Sequence, residues 1–451
     1  MPRIPSVRGL VITGFALFAM FFGAGNLILP AMIGVEAGPN AYVAAAGFLI
    51  TGVALPIAAM IAMATIRPGE VRLADRMGSR LGLVLTTLIF LSTGMLYAIP
   101  RVAAVSYEMA LAPVVGSSRT NLFLYTAAFF AVTFLAALRP STVVNRIGTF
   151  LTPALLILLA VLVIGSIGQP LAGHEATGDY VNAPLSAGII QGYFTMDAIA
   201  ALVFGAIIVS ALKSWGWTGK KSRTGMAYAA LIAGGLLAVV YIGLVRVGQS
   251  GSGTNGAQVI AGMTQKLFGS FGQVFFGAII LLACLTTALG LLASSTAYFH
   301  GLVPALSMRA WLVVQVLIAF ALANLGLETI LEIVAPLNQL VYPMTICLVI
   351  VALLDRGEHV RFYWAYRLTA WTAGVLSVLE ALNSTKLAVF APLRDVLDVF
   401  PLGEVHMAWV VPALVALVIG LVLDWRWPRA PRAVESASSD DAVVPSPAAE
   451  A

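Results

Sequence analysis

Long apolar runs, separated by short polar segments, fill the sequence from Leu10 to residue 424. Because a run of about 20 apolar residues is long enough for a helix to cross a bilayer, each run predicts one membrane span. The pattern therefore predicts an all-α membrane protein with twelve transmembrane helices, numbered in chain order. The predicted spans are 10–35, 41–66, 81–112, 120–138, 147–168, 187–212, 226–248, 270–299, 308–325, 329–354, 365–383 and 405–424.

Two of these runs are interrupted near their centres. Span 1 contains Gly23-Ala24-Gly25-Asn26 with Pro30 one turn further on, and span 6 contains Thr195-Met196-Asp197. Two glycines and an amide disfavour an uninterrupted helix, and an unwound backbone at membrane depth is tolerated only where it lines a cavity or is buried in protein. Paired interruptions in corresponding halves indicate the binding site of a secondary transporter. Close packing of helices on small residues is the alternative for the glycines of span 1.

The break in span 1 has a direct chemical interpretation. The N-terminus of its outer half would present unpaired N–H groups and a partial positive charge, which suit a carboxylate. The C-terminal end of the inner half would present carbonyl oxygens, which suit a small cation. Asn26 adds an amide at the same depth.

Composition supports the membrane assignment. The 451 residues are 60% hydrophobic and only 10% charged, with a mean hydropathy of +0.97. Soluble domains carry about 25% charged residues. The first apolar run is longer than the core of a signal peptide, about 7–15 residues, and is predicted to be a retained span.

Basic residues are distributed unevenly between the two sides of the predicted membrane. All but six of the 25 lie on one side, which the positive-inside rule makes cytoplasmic. The bias predicts an even number of spans with both termini in the cytoplasm, and it explains the net charge of +5 without nucleic-acid binding. The six exceptions are Arg101, Arg119, Arg246, Lys266, Lys386 and Arg394.

Asp197 is the only acidic residue that the pattern places near the centre of a span. An Asp at that depth costs about 2.5–3.5 kcal/mol on insertion scales, so it is a functional candidate by default. It is expected to act as an ion ligand, a proton carrier or a gate partner. A buried pair with a basic residue, or a helix cap at the break, is the structural alternative.

Span 8 carries hydroxyl groups at the same depth, in Cys284-Leu285-Thr286-Thr287-Ala288. Hydroxyl and carbonyl oxygens suit hard cations, so Thr286 and Thr287 are candidate sodium ligands together with carbonyls of span 1. The alternative is that each hydroxyl bonds the carbonyl four residues earlier in its own helix.

Two charged residues are candidate gate groups. Arg101 follows Tyr97-Ala98-Ile99-Pro100 near the end of span 3, where it forms a gate ion pair or extends along the helix towards the interface. Glu332 precedes Pro336 in span 10, where gating and helix packing are equally open.

The remaining segments and residue types indicate loops, a tail or buried packing rather than a further functional site. Gln249 to Gly262 is rich in Gly, Ser and Thr and is predicted to be a flexible outer connection, and the tail from Val434 to Ala451 is predicted to be disordered. Cys284 and Cys347 lie in apolar runs and are read as buried hydrophobes rather than a disulfide. The four histidines are scattered over loops and span ends, and no phosphate-binding loop is present.

Taken together, these motifs resemble the bacterial branched-chain amino acid:cation symporters of the BrnQ type. The resemblance extends over residues 8–425 and rests on four motifs in the same order: Gly14-Phe15 to Leu27, Ala98-Ile99-Pro100-Arg101, Thr195-Met196-Asp197 and Cys284 to Ala288. It implies the leucine-transporter fold of the amino acid–polyamine–organocation superfamily, a 5+5 inverted repeat plus two spans with discontinuous helices 1 and 6. The implied organisation is an N-terminus (1–9), repeat 1 (10–168), repeat 2 (187–354), spans 11 and 12 (365–424) and a cytoplasmic tail (425–451).

The resemblance also implies site residues. The substrate would be held by Phe22, Gly23, Ala24, Gly25 and Asn26 of span 1 and by Phe194, Thr195, Met196, Asp197 and Ala198 of span 6. One sodium site would be formed by Ala19, Phe22, Thr286 and Thr287, and Asn26 and Thr195 would lie at a second. An apolar pocket around Phe22, Phe194 and Met196 would separate leucine, isoleucine and valine poorly, since one methylene is worth about 1–3 kcal/mol.

The predicted function is import of leucine, isoleucine or valine by a sodium-driven, multi-pass carrier of the bacterial cytoplasmic membrane. No enzymatic activity, organic cofactor, nucleic acid or obligatory protein partner is expected, and membrane lipids are the expected surroundings. A proton-coupled or exchanging carrier for other small neutral amino acids is the main alternative. A channel and a membrane enzyme are further ones, but the chain lacks a continuous polar face and converging catalytic groups.

Overall fold

Every predicted apolar run coincides with helix in the computed structural model of the chain. The structure describes residues 5–66, 72–138, 140–355, 362–385, 388–390 and 392–428. Spans 1 and 6 are each broken into two helices, and spans 2, 3 and 5 contain π-helical turns. Residues 429–451, which include the predicted tail, lie outside the described ranges.

The helix bounds follow the predicted spans closely. Span 1 consists of span 1a (Val7–Phe21) and span 1b (Ala24–Glu36), and span 6 of span 6a (Pro184–Tyr193) and span 6b (Asp197–Ser214). Span 2 comprises Ala41–Leu49, Ile50–Ala54 and Leu55–Met63; span 3 comprises Ser79–Leu91, Ser92–Leu96, Ala98–Ser106, Tyr107–Leu111 and Ala112–Val115; span 5 comprises Pro140–Arg146, Ile147–Leu151 and Thr152–Ile167. The others are Arg119–Ala137, Lys220–Ser250, Gly272–Leu302, Met308–Ala323, Leu327–Leu354, Trp364–Ser384 and Val410–Arg426.

Short helices connect these spans. They are Gly38–Asn40, Leu73–Met77, Gly178–Tyr180, Gly256–Phe268, Gly269–Phe271, Ala388–Phe390, Pro392–Asp398 and Gly403–Val405. By length and apolar composition alone, eight helices of the described ranges are able to cross a membrane, or nine if spans 1a and 1b count as one. The number of twelve, the domain boundaries and the cytoplasmic location of both termini therefore stay predictions.

One predicted connection is wrong. The sequence predicts a flexible segment from Gln249 to Gly262, but the helix Gly256–Phe268, here called the outer helix, occupies its second half. The side chain of Asn255 caps this helix by accepting a hydrogen bond from the Gln258 amide, 2.9 Å away. Val259, Ile260 and Met263 are buried on one face. The cap and the helical spacing of these apolar residues outweigh the local content of small residues.

Glycines allow two pairs of helices to approach at backbone distance. A Cβ atom on Gly34 of span 1b would lie 2.2 Å from the Val245 carbonyl oxygen of span 7. A Cβ atom on Gly188 of span 6a would lie 1.9 Å from the Ala44 carbonyl oxygen of span 2. No side chain fits in either contact, so spans 1b and 7 are held together tightly, and so are spans 2 and 6a.

Two buried carboxylates join spans 11 and 12 at opposite ends. Asp424 of span 12 accepts hydrogen bonds from the amides of Tyr363, Trp364 and Ala365 at 2.8–3.0 Å, and so caps the start of span 11. Glu380 of span 11 accepts one from the amide of Ala408, 2.8 Å away, just before span 12 begins. Each helix therefore supplies an acceptor for free N–H groups at the start of its partner.

Candidate functional site

The break in span 1 is sharp and short. Span 1a ends at Phe21 and span 1b begins at Ala24, with a bend of 71° between them. Only Phe22 and Gly23 leave the helical conformation, and Gly23 is fully extended with ψ of −176°. Ala24, Gly25 and Asn26, which were expected in the unwound segment, instead form the first turn of span 1b. Their amides lie at the positive N-terminus of that helix half.

The break in span 6 lies one residue before the predicted acid. Span 6a ends at Tyr193, and span 6b begins at Asp197. Met196 connects them with a φ of 57°, a left-handed conformation that is uncommon for a side chain of this size. The Thr195 hydroxyl donates to the Gly192 carbonyl, 2.8 Å away, and thereby closes the end of span 6a.

A hydrogen bond joins the two breaks. The Nδ2 atom of Asn26 donates to Oδ2 of Asp197 over 2.6 Å, although 171 residues separate them in sequence. Both side chains are buried. Each residue belongs to the first turn of its helix half, so the positive N-termini of spans 1b and 6b meet here. The carboxyl group of Asp197 thus lies between the two helix ends.

Tyr241 of span 7 completes this network, a role that nothing in the sequence indicates. Its hydroxyl oxygen accepts a second hydrogen bond from Asn26 Nδ2, 2.7 Å away. Its ring stacks on Phe22, at a centroid distance of 6.2 Å, and meets Phe48 of span 2 edge-on at 5.2 Å. A tyrosine in an apolar run carries no sequence signal of this role, because aromatic residues are common in buried spans.

The apolar residues that were predicted to contact the substrate differ in how deeply they are buried. Phe22 is fully buried and stacks on Phe18, at 5.4 Å between centroids. Phe194 is 36% exposed and packs against Tyr193 at the end of span 6a. Met196 is half-buried against the core, and Ala198 is fully buried in the first turn of span 6b.

Span 8 meets span 1a through Thr286. Its hydroxyl lies 2.9 Å from the Ala19 carbonyl oxygen, and also within 3.0 Å of the carbonyls of Leu282 and Ala283 in its own helix. The Thr286 hydroxyl therefore contacts carbonyls of its own helix and also a carbonyl at the end of span 1a, so the two predicted alternatives do not exclude each other. The Ala19 carbonyl belongs to the last turn of span 1a, where carbonyls carry partial negative charge.

Thr287 is the exceptional group of this region. Its hydroxyl oxygen is buried and has no hydrogen-bond partner among the described residues. It lies 3.5 Å from the position that a Cβ atom on Gly23 would occupy, and therefore faces the unwound backbone of span 1. Buried hydroxyls are normally paired, so an orphan of this kind requires an explanation. With the Ala19 carbonyl and the Thr286 hydroxyl, it supplies oxygen atoms of the kind that hard cations prefer.

The second predicted cation pair is engaged differently. Asn26 directs its amide N–H groups at Asp197 and Tyr241, and Thr195 directs its hydroxyl at Gly192. The Asn26 oxygen is turned towards Gly23 instead, 3.9 Å from where a Cβ atom would stand.

Arg101 reaches the break in span 1. Its Nη2 atom lies 3.4 Å from the position of a Cβ atom on Gly25, and its Nη1 donates to the Tyr97 hydroxyl over 3.1 Å. Its guanidinium group also lies over the Tyr97 ring at 5.4 Å. The side chain is therefore directed into the bundle beside the N-terminus of span 1b, rather than along the helix to the interface. The backbone of Glu332 lies in span 10, and its side chain falls outside the described residues.

Taken together, the geometry defines a class of protein. A multi-pass helical bundle in which two discontinuous helices bring their N-termini together at mid-bundle has the architecture of a secondary transporter. The chain belongs to the family described as branched-chain amino acid transport protein, whose model matches residues 6–427.

Relatives with known names extend this assignment. The chain is 39% identical over 424 residues to the branched-chain amino acid permease BrnQ of Corynebacterium glutamicum, which covers 93% of this chain and 96% of that protein. It is 36% identical to the permease BraB of Bacillus subtilis, over 92% of this chain and 96% of the relative. These names confirm a transporter rather than an enzyme.

The fold is shared with a more distant transporter of known structure. Mhp1, a nucleobase-cation-symport-1 family transporter in a closed conformation with bromovinylhydantoin bound, superimposes with a TM-score of 0.57 over 94% of this chain and 93% of its own. Sequence identity is 15%, so the likeness concerns the fold alone. The predicted leucine-transporter type of fold, with its broken helices 1 and 6, is thereby confirmed.

Proposed function

We propose that the protein is a symporter that imports leucine, isoleucine and valine across a bacterial cytoplasmic membrane, driven by sodium. The observation that carries the proposal is the hydrogen bond of 2.6 Å between Asn26 and Asp197, which ties the two helix breaks into one site. The family, and the names of relatives such as BrnQ and BraB, support the substrate class.

The substrate carboxylate binds at the start of span 1b. The first-turn amides of Ala24 and Gly25, which have no partner within the helix, supply hydrogen bonds and the positive end of the helix dipole. Glycine at position 25 leaves room for the ligand, because a Cβ atom there would stand 3.4 Å from Arg101. The guanidinium of Arg101 adds a positive charge at the same point, so recognition and gating of the carboxylate share one residue.

The substrate ammonium group binds at the break in span 6. Asp197 supplies a carboxylate, and the carbonyl end of span 6a supplies partial negative charge. Because the two ends of an amino acid carry opposite charges, one site with amides on span 1b and a carboxylate on span 6b matches both. Phe22, Phe194 and Met196 then face the aliphatic side chain, with discrimination of about 1–3 kcal/mol per methylene.

The coupling ion binds between spans 1a and 8. Sodium would be held by the carbonyl oxygens of Ala19 and Phe22 and by the hydroxyls of Thr286 and Thr287. The unpartnered buried hydroxyl of Thr287 supports this choice, because a cation gives that oxygen the partner that it lacks. An ion at this position adds a positive charge beside the substrate carboxylate and draws spans 1 and 8 together.

Alternating access follows from which helices are locked together. Spans 1b and 7, and spans 2 and 6a, meet at backbone distance through Gly34 and Gly188, and so move as a bundle of spans 1, 2, 6 and 7. Spans 3, 4, 8 and 9 form the scaffold. Thr286 and Ala19 bridge bundle and scaffold directly, so binding and release of sodium control whether the two groups stay in contact.

Proton coupling is the second candidate, and one observation favours it. Asp197 is buried and bonded to the neutral amide of Asn26, and no ion pair of this acid within 4.0 Å is found among the described residues, although Arg101 acts on it at longer range. Buried acids within membrane spans mark proton pathways in pumps and transporters.

Uptake of labelled leucine by proteoliposomes tests the proposal. With an inward sodium gradient and no pH gradient, we expect accumulation that isoleucine and valine abolish and that potassium does not support. Lysine serves as the non-competing control. Accumulation that follows an inward proton gradient and ignores sodium would transfer the coupling role to Asp197, and failure of isoleucine and valine to compete would contradict the substrate class.

A further inference from the structure

A cavity of about 410 Å³ lies beside the end of span 6a, on the side of spans 2 and 10–12. Span 2 and the end of span 6a form one wall, through Ile50, Ala54 and Tyr193. Spans 10, 11 and 12 form the other, through residues that include Cys347 and Trp409. Its volume is within the range of ligand pockets, about 300–1,000 Å³.

The cavity is continuous with the lipid-facing surface. Ile50 of span 2 and Leu414 of span 12 line it, and each is 50% exposed. Val415 and Val418, further along the same surface of span 12, are exposed as well. In a membrane protein such a surface faces hydrocarbon, so the molecules in contact with the mouth of this cavity are the acyl chains of the bilayer.

The polar groups of the lining are mostly paired within the protein. Thr51 donates to the Ile189 carbonyl over 2.6 Å, and Trp409 Nε1 donates to the Tyr193 hydroxyl over 3.2 Å. The Thr369 hydroxyl is the lining side-chain group without a partner among the described residues. One neutral hydroxyl does not recognise a charged headgroup, so the lining selects a hydrocarbon chain.

We propose that an acyl chain of a membrane phospholipid enters this cavity and fills it. An empty apolar cavity would deprive its lining of dispersion contacts, and a flexible chain restores them without any conformational change at the mouth. The lipid headgroup remains at the membrane surface, and the residues that line the cavity do not bind it.

The position of the chain connects it with the moving parts of the transporter. One wall belongs to spans 2 and 6a and the other to spans 10–12, so relative movement of these groups changes the shape of the cavity. Span 2 departs from α-helical geometry at this wall, in the π-helical turn Ile50–Ala54. Tyr193, the last residue of span 6a, touches the cavity and packs on Tyr342 at 4.8 Å between centroids. The bound chain thus lies against the break in span 6.

Quenching of tryptophan fluorescence by brominated acyl chains tests the proposal. Trp409 is 5% exposed and lines the cavity, whereas Trp371 is 54% exposed on span 11. The protein is reconstituted into liposomes of ordinary or brominated phosphatidylcholine. In each lipid, the difference in fluorescence between the parent and Trp409→Phe gives the contribution of Trp409, and the difference between the parent and Trp371→Phe gives that of Trp371. We expect bromine to quench both contributions, since it acts at short range and reaches Trp409 from inside the cavity.

A cavity-filling variant supplies the matched control. Ala413→Phe places a ring in the cavity, whereas Val415→Phe, two residues along the same helix, adds the same ring on the lipid-facing surface. Quenching of Trp409 should be lost in Ala413→Phe and kept in Val415→Phe. Quenching of Trp371 alone, or equal quenching of Trp409 in both variants, would overturn the proposal. The measurement needs neither substrate nor ion, so it is independent of the proposed symport.

Discussion

The orphaned hydroxyl of Thr287 leads to a prediction in which stability and ion affinity change in opposite directions. In Thr287→Val the side chain keeps its branched shape and loses only the oxygen. No hydrogen bond is broken within the described residues, because that oxygen has no partner there. Without sodium, we therefore expect the variant to be as stable as the parent, or more stable by about 1 kcal/mol, since an unsatisfied buried polar group is removed.

The loss of a cation ligand has the opposite consequence. A hydrogen bond or contact to a charged group is worth about 1.5–3 kcal/mol. At 1.4 kcal/mol per factor of ten, the sodium concentration for half-maximal leucine uptake should rise about 10- to 150-fold. Thermal unfolding without sodium and the sodium dependence of uptake measure the two effects separately.

Thr345→Val is the matched control for this test. Thr345 is a buried threonine of span 10 whose hydroxyl bonds the Val341 carbonyl of its own helix at 2.9 Å. Its substitution should leave the sodium dependence unchanged. An unchanged sodium dependence in Thr287→Val, with uptake intact, would refute the assignment of this hydroxyl to the ion.

Three further predictions concern packing, capping and positioning. Gly188→Ala should destabilise the protein by about 1–3 kcal/mol in thermal unfolding, because the new methyl group would stand 1.9 Å from a carbonyl oxygen. Gly235→Ala is the control and should be tolerated, because the space around Gly235 is open. Asp424→Ala should lower stability by about 2 kcal/mol through loss of the cap on span 11, and Asp424→Asn, which keeps an acceptor, should lower it less; equal losses would contradict the capping role. Tyr241→Phe removes one hydrogen-bond acceptor of Asn26, worth about 0.5–1.5 kcal/mol, so the apparent affinity for leucine in uptake assays should fall by a similar free energy. The melting temperature should change little, and an unchanged leucine affinity would rule out a positioning role.

The fold was largely predictable from sequence because its signals are local. Apolar runs define the spans, and glycines next to Asn26 or an acid at Asp197 mark the breaks at mid-depth. The outer helix was missed for the same reason, since its cap at Asn255 lies among glycines and serines that usually indicate a loop.

The site was predictable only where a residue is unusual for its surroundings. Asp197 and Thr286 are polar in apolar runs, and both prove to contact span 1. Tyr241 and Phe48 are common residue types in buried helices, and the contacts of Tyr241 with Asn26, Phe22 and Phe48 depend on how span 7 packs. Likewise, Asp424 at the end of span 12 looks like an interfacial charge, and only the tertiary contact with span 11 identifies it as a cap.

Equilibrium binding of labelled leucine to the purified protein, measured over a range of sodium concentrations and at several pH values, tests the central claim most directly. Linkage requires that sodium raises the affinity for leucine by the same factor by which leucine raises the affinity for sodium. We expect this reciprocal increase in the parent protein and a much smaller one in Thr287→Val. Leucine affinity that ignores sodium and follows pH alone would contradict sodium coupling through the site between spans 1 and 8.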